Sequence, residues 1–125
     1  MRNDLYDLVC GFNNMFYDRG YKTFPIDVLE VENGYEVICE MPGVKKEDID
    51  LSLEDGILTI KTKNQNKPND KKYLIHERNN MRLERSVNFG DIEVDDIKAK
   101  MEDGLLNINI KLKVKENTKK DITIE

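Results

Sequence analysis

Few residues of this 125-residue chain could carry out catalysis, and they lie far apart in the sequence. The single histidine, His76, lies in a polar segment, and the two serines, Ser52 and Ser86, fall at outward positions of predicted strands. A nucleophilic site needs a base within hydrogen-bond reach, and no such pair can be proposed. The sequence has neither a Gly-rich phosphate loop nor a Cys/His metal spacing. We therefore expect no catalytic residues, no cofactor and no metal, in a protein that is not an enzyme.

Two pairs of neighbouring carboxylates, Glu54-Asp55 and Glu102-Asp103, remain as candidates for acid–base chemistry. Each pair precedes a glycine, and an Asp-Gly dipeptide readily adopts the positive φ angles of a tight hairpin turn. We interpret both pairs as turn residues rather than as catalytic acids.

The segments around both Glu-Asp-Gly turns alternate between apolar and polar residues, which is typical of strands with one buried face. The apolar positions are Ile49, Leu51, Leu53 and Ile60 around the first turn, and Ile97, Ala99, Met101, Leu106, Ile108 and Ile110 around the second. Two similar hairpins that face each other would form the walls of a β-sandwich. The pattern therefore predicts an all-β domain.

Further turn signals divide the region ahead of the first of these hairpins. Asn33-Gly34 predicts a hairpin, and Pro42-Gly43 suits the central positions of a type II turn. Residues 26–31 suggest a short edge strand whose alternation breaks midway. Cys39 falls at an inward position of the next strand, where we expect it to act as a small hydrophobic residue.

One charged residue, Arg85, shares the apolar positions of a strand with Met81, Leu83, Val87 and Phe89. Burying an unpaired charge is costly, so we expect Arg85 to have a carboxylate partner or to lie at a subunit boundary. The alternative is an edge position from which its long side chain reaches solvent. We include Arg85 among the predicted dimer-interface residues.

Residues 1–24 form a short N-terminal arm that contains six of the nine aromatic residues. Leu5, Leu8, Phe12 and Phe16 recur at helical spacing, which predicts an amphipathic helix. Two interpretations remain open. The helix packs on its own domain, or the arm binds other subunits or unfolded client proteins through these four residues.

Residues 25–114 form the predicted sandwich domain. Within it, a long polar loop is interrupted by the brief apolar run Tyr73-Leu74-Ile75. A free strand edge is a ready template for pairing, so we predict that this run forms a dimer interface with an edge strand of a neighbouring subunit.

Residues 115–125 form a C-terminal tail, a charged tether that ends in the isolated apolar pair Ile122 and Ile124. We expect the tail to be flexible. In a strand, residues two apart lie on one face, so the two isoleucines can enter adjacent apolar pockets. We predict that they anchor assembly beyond the dimer.

The net charge of −5, from 20 basic and 25 acidic residues, argues against nucleic acid or an anionic membrane as a main partner. No apolar run reaches the length of a membrane span, and Asp4 and Asp7 stand where a signal peptide would be basic and then apolar. Cys10 and Cys39 have no disulfide-type spacing, which favours a reducing compartment. We expect a cytoplasmic location.

Several motifs, in this order along the chain, resemble those of the small heat-shock protein (α-crystallin) family. They are Pro25-Ile26-Asp27-Val28, Glu40-Met41-Pro42-Gly43-Val44, Lys46-Glu47-Asp48-Ile49, Glu77-Arg78, Leu83-x-Arg85-x-Val87, Ala99-(x)₄-Gly104-Leu105-Leu106 and Ile122-Thr123-Ile124. The resemblance implies an immunoglobulin-like β-sandwich whose dimers form through the strand around Tyr73–His76. In that family the tail anchor docks in a groove, which here would be lined by Ile49, Leu51, Leu53, Ile97, Ala99 and Met101.

The resemblance implies an ATP-independent chaperone, a holdase that binds partly unfolded clients and assembles with itself into dimers and larger homo-oligomers. One alternative is a structural or scaffold protein that uses the same arms only for self-assembly. Another is a co-chaperone sandwich that docks on a larger ATP-driven chaperone. The Ile-Thr-Ile tail and the strand that contains Arg85 favour the small heat-shock pattern over this last alternative.

Overall fold

The computed structural model describes residues 2–17, 23–63, 71–78, 83–114 and 121–125, with the helix side chains described for residues 5–13. Met81 and the side chain of Phe16 lie outside the described residues. The elements of the described part are α1 (Arg2–Tyr17), β1 (Ile26–Val31), β2 (Gly34–Glu40), a 3₁₀ helix (Lys46–Asp48), β3 (Ile49–Glu54), β4 (Ile57–Thr62), β5 (Glu84–Asn88), β6 (Val94–Glu102) and β7 (Leu105–Leu112). No helix in this part of the chain is long and apolar enough to cross a membrane.

The strands form two antiparallel sheets, one of four strands in the order β1-β2-β7-β6 and one of three in the order β3-β4-β5. The two Glu-Asp-Gly hairpins, β3-β4 and β6-β7, belong to different sheets, which confirms the predicted all-β sandwich. Their turns have positive φ angles at both central residues, 51° and 76° at Asp55 and Gly56 and 53° and 76° at Asp103 and Gly104. These angles are typical of type I′ turns, whose twist matches that of the flanking strands.

The hydrophobic core consists of the alternating residues that the strands direct inward. Its fully buried members are Val37, Cys39, Leu58, Ile60, Phe89, Ile108 and Ile110. The predicted inward position of Cys39 is therefore confirmed. Burial raises the pKa of the Cys39 thiol to about 12, and the Arg85 guanidinium offsets this rise only in part. The thiol is consequently protonated at neutral pH and serves as a small hydrophobic residue.

Strand β1 is more regular than its sequence suggests. The predicted short edge strand is confirmed, and it pairs with β2 in one unbroken register, from Ile26 opposite Cys39 to Val31 opposite Gly34. Leu29 and Val31, which suggested the break, are 41% and 42% exposed on this edge strand. Partial exposure of apolar residues at an edge, and not a change of register, explains the irregular pattern.

The hairpin predicted from Asn33-Gly34 is present, but its turn lies one residue earlier, at Glu32 and Asn33. Asn33 has a positive φ of 62°, whereas Gly34 begins β2. A Cβ atom at Gly34 would lie 1.9 Å from the carbonyl oxygen of Ile110. Glycine is therefore required here by the close approach of β2 to β7.

The four edge strands fall on two sides of the sandwich. A cleft of about 200 Å³ is lined by Val9 and Asn13 of α1, Val28 of β1 and Arg85 of β5, so α1 bridges the edges β1 and β5 on one side. The remaining edges, β3 and β6, therefore lie together on the opposite side.

Candidate functional site

The six predicted groove residues lie on the edge strands β3 and β6, on the side of the sandwich opposite α1. Their registers place Ile49, Leu51 and Leu53 opposite Thr62, Ile60 and Leu58, and Ile97, Ala99 and Met101 opposite Ile110, Ile108 and Leu106. All six opposing residues are buried, so the groove residues share the core-facing side of each sheet. Both strands are edges, however, and Leu51 and Ile97 remain 37% and 40% exposed.

One end of this predicted groove contains a residue that sequence analysis missed. Leu53 and Val94 line a common cavity of about 530 Å³ together with Ile92, Gly56 and Gly90. A bulge between Val94 and Asp96 lets Val94 face the same way as Ile97, although the two residues are three apart. The adjacent carboxylates at 95 and 96 interrupt the alternation in the sequence. A strict period of two would place Val94 and Ile97 on opposite faces, so sequence analysis did not assign Val94 to this side.

The C-terminal pair lies outside this predicted groove, in solvent. Ile122 and Ile124 are 89% and 94% exposed, and all five residues from 121 to 125 are exposed. Residues 115–120, most of the predicted tether, lie outside the described residues. The predicted anchor residues are therefore accessible for contact with another surface.

The predicted dimer segment is likewise open to solvent. Residues 71–78 form neither helix nor strand, and each of them is exposed. Leu74 is 102% exposed and Ile75 is 79% exposed, while the ring of Tyr73 stacks on that of His76 at a centroid distance of 4.1 Å. Apolar side chains at this level of exposure gain free energy by pairing with another surface.

Arg85 is only 8% exposed, so its expected burial is confirmed and the solvent-reaching alternative is wrong. Its guanidinium donates to the backbone carbonyl oxygen of Phe24 over 2.9 Å and to the side-chain oxygen of Asn13. These two acceptors are neutral, and both lie in or next to the N-terminal arm. Arg85 thus joins the arm to β5, a role for which the sequence offered no signal, since Asn13 is 72 residues away.

The predicted client-binding residues lie on the helix that contacts the sandwich. Leu5 and Phe12 are half-buried and Leu8 is 39% exposed. Val9, which belongs to the same apolar pattern of the helix, packs against the hydrophobic core. The structure thus describes the first of the two interpretations of the arm, a helix packed on its own domain. Client binding through this face would require the helix to leave its position.

Comparison with known proteins agrees with the resemblance that the motifs indicated. The sequence profile of the Hsp20/alpha crystallin family matches residues 27–125. Small heat shock protein C2 of Rickettsia felis is 33% identical over 96 residues, which are 70% of this chain and 62% of that protein. The 18 kDa heat shock protein of Clostridium acetobutylicum is 32% identical over 109 residues, which are 75% of this chain and 71% of that protein.

The similarity extends to three dimensions. Heat shock protein 16.0 from Schizosaccharomyces pombe superimposes with a TM-score of 0.62 at 30% sequence identity, over 83% of this chain and 99% of that one. The matched part of this chain nevertheless spans less than two thirds of the length of the Rickettsia felis relative, 62%.

Proposed function

The chain belongs to the Hsp20/alpha crystallin family of small heat shock proteins, and from this premise we propose that it is an ATP-independent holdase that binds partly unfolded proteins and prevents their aggregation. One observation carries the proposal: apolar side chains stay exposed at separate places, in the loop segment and the tail, on an otherwise charged chain. Exposed apolar patches of this kind mark interaction surfaces. The charged residues, 36% of the chain, would keep complexes with clients in solution.

We propose that the loop segment pairs with strand β1 of a second copy. Support comes from β1 itself, which is an edge strand with Leu29 and Val31 exposed, and from Leu74 and Ile75 in the loop. Strand addition would satisfy the open edge with main-chain hydrogen bonds and would bury these apolar side chains. The proposed partners are therefore copies of this chain and unfolded clients. The free thiols of Cys10 and Cys39 support a reducing, cytoplasmic location.

The holdase proposal predicts that the protein suppresses the aggregation of a heat-labile enzyme, such as citrate synthase, in the absence of nucleotide. Deleting residues 1–24 should weaken this suppression, because it removes Leu5, Leu8, Phe12 and Phe16. Light scattering at the client's unfolding temperature measures both effects. No suppression by the full chain would favour the scaffold alternative, and equal suppression by the shortened chain would mean that the arm does not bind clients.

The dimer proposal predicts that Leu74→Asp combined with Ile75→Asp yields monomers, because a charge cannot enter the apolar strand interface without a large desolvation cost. Sedimentation velocity at several protein concentrations measures the mass. Lys72→Asp, at an exposed neighbouring position, controls for added negative charge and should leave the dimer intact. Dimers that persist in the double variant would place the interface elsewhere.

A further inference from the structure

The helix α1 covers an apolar opening of the sandwich. Where β1 and β5 run along the edges of different sheets, the core would meet solvent. One cleft beneath the helix is lined by Val9 and Val28, and a second, of about 480 Å³, is lined by Leu5, Tyr35 and Phe89 among others. The partly buried Val9 and Val28 both pack on the core. The opening therefore accepts an amphipathic helix through apolar contacts.

Two further contacts hold the helix over this opening. Asn13 accepts a hydrogen bond from the buried Arg85, which fixes the C-terminal half of α1 to β5. In the N-terminal half of α1, Leu8 lies against Gly90, whose φ is +76°. A Cβ atom on Gly90 would come within 3.1 Å of the Leu8 Cδ2 atom, so the glycine leaves room for the leucine.

The cover nevertheless does not seal the opening. Two clefts of about 480 and 200 Å³, both open to solvent, run between α1 and the sandwich. A helix of 16 residues is also only marginally stable without tertiary contacts. Gly11, near its middle, weakens it further, and a Cβ at Gly11 would meet no atom within 4 Å. These features suit a contact that opens without unfolding the domain.

We propose that the opening between β1 and β5 is a binding site for client segments with apolar side chains at helical spacing, and that α1 competes with them for it. The occupant is inferred from α1, which shows what the site accepts. This inference rests on the proposed holdase function. Opening would uncover the apolar face of the helix and the opening beneath it together, and a client would contact both. Deleting the arm is therefore not equivalent to opening, because it removes one of the two client surfaces along with the competitor. A client's apparent affinity then scales with the fraction of molecules in which the cover is open.

Two substitutions in the full-length chain should shift this equilibrium in opposite directions. Gly11→Ala stabilises the helix without adding a contact, so client affinity should fall about two- to fivefold. Asn13→Ala removes the hydrogen bond to Arg85, so client affinity should rise by about tenfold. Asp7→Asn, at an exposed position on the same helix, exchanges two residues of similar helix propensity and should change affinity little.

The experiment combines two measurements on each variant. Hydrogen exchange of the α1 amides reports how firmly the cover is closed, and fluorescence titration with reduced, carboxymethylated α-lactalbumin, which cannot refold, reports client affinity. The expected result is slower exchange with weaker binding for Gly11→Ala, and faster exchange with tighter binding for Asn13→Ala.

Two results would overturn the competition. In one, hydrogen exchange of α1 shifts as expected but client affinity stays constant. In the other, the variant with slower exchange binds the client more tightly. Exchange that is unchanged in both variants would overturn the docked cover itself. Absence of any client binding by the unsubstituted chain would instead reject the holdase function, and the inference with it. The last result is distinguishable from the others because it involves no variant.

Discussion

Replacing Arg85 with alanine is expected to lower the free energy of unfolding by about 3 kcal/mol or more, because each hydrogen bond from a charged donor contributes about 1.5–3 kcal/mol. The guanidinium makes at least two, to the carbonyl oxygen of Phe24 and to Asn13. The substitution would also leave a cavity at a buried position and a buried carbonyl without this donor. For a domain of this size such a loss should lower the melting temperature by more than about 10 °C.

Thermal unfolding followed by circular dichroism, at one protein concentration for all variants, measures this effect. Lys98→Ala is the matched control, since the Lys98 side chain is 81% exposed and its ion pair with Asp96 spans 3.8 Å. An exposed pair of this kind contributes less than about 1 kcal/mol. Arg85→Lys should also destabilise the domain, because a single ammonium cannot reproduce the fork that reaches both acceptors. A melting temperature of Arg85→Ala close to that of Lys98→Ala would contradict the structural role.

Replacing both Ile122 and Ile124 with alanine is expected to reduce the assembly to dimers. Each isoleucine gains roughly 1.5–3 kcal/mol when it is fully buried. Ordering the tether opposes this gain, at about 1–2 kcal/mol for each residue that is fixed. A single docked tail is therefore weak, but several tails on one assembly act together because each later contact is intramolecular. Removing both side chains eliminates the gain at every tail at once.

Size-exclusion chromatography with light scattering measures the mass distribution of this double variant. Thr123→Ala is the control, since a strand conformation directs Thr123 away from the two isoleucines. The groove supplies a second test, because Leu51→Asp on β3 should produce the same smaller species without altering the tail. An unchanged mass in the isoleucine variant would mean that the tail does not anchor the assembly. A smaller mass for the isoleucine variant together with an unchanged mass for Leu51→Asp would mean that the tail docks in another groove.

The local chemistry of the strands and turns was readable from the sequence alone. Asp55-Gly56 and Asp103-Gly104 identified both hairpins, because few dipeptides tolerate two positive φ angles in succession. The inward position of Cys39 and the burial of Arg85 followed from the alternation of side chains along a strand. This alternation places each of the two residues on the same face as the apolar residues of its strand. The sequence motifs likewise indicated the family, which the family profile over residues 27–125 confirms.

Only the tertiary structure decided what lies opposite each edge of the sandwich. The predicted groove residues lie on two edge strands that belong to different sheets. The bulge that turns Val94 to the same side interrupts the alternation on which sequence analysis depends. The cover follows from contacts between residues far apart in the chain, Asn13 with Arg85 and Leu8 with Gly90. Periodicity reports which face of an element is apolar, but the surface that covers this face depends on how the sheets stack. For that reason the sequence by itself determined that the arm contains a helix with an apolar face, and the fold decided that this face lies over the opening between β1 and β5.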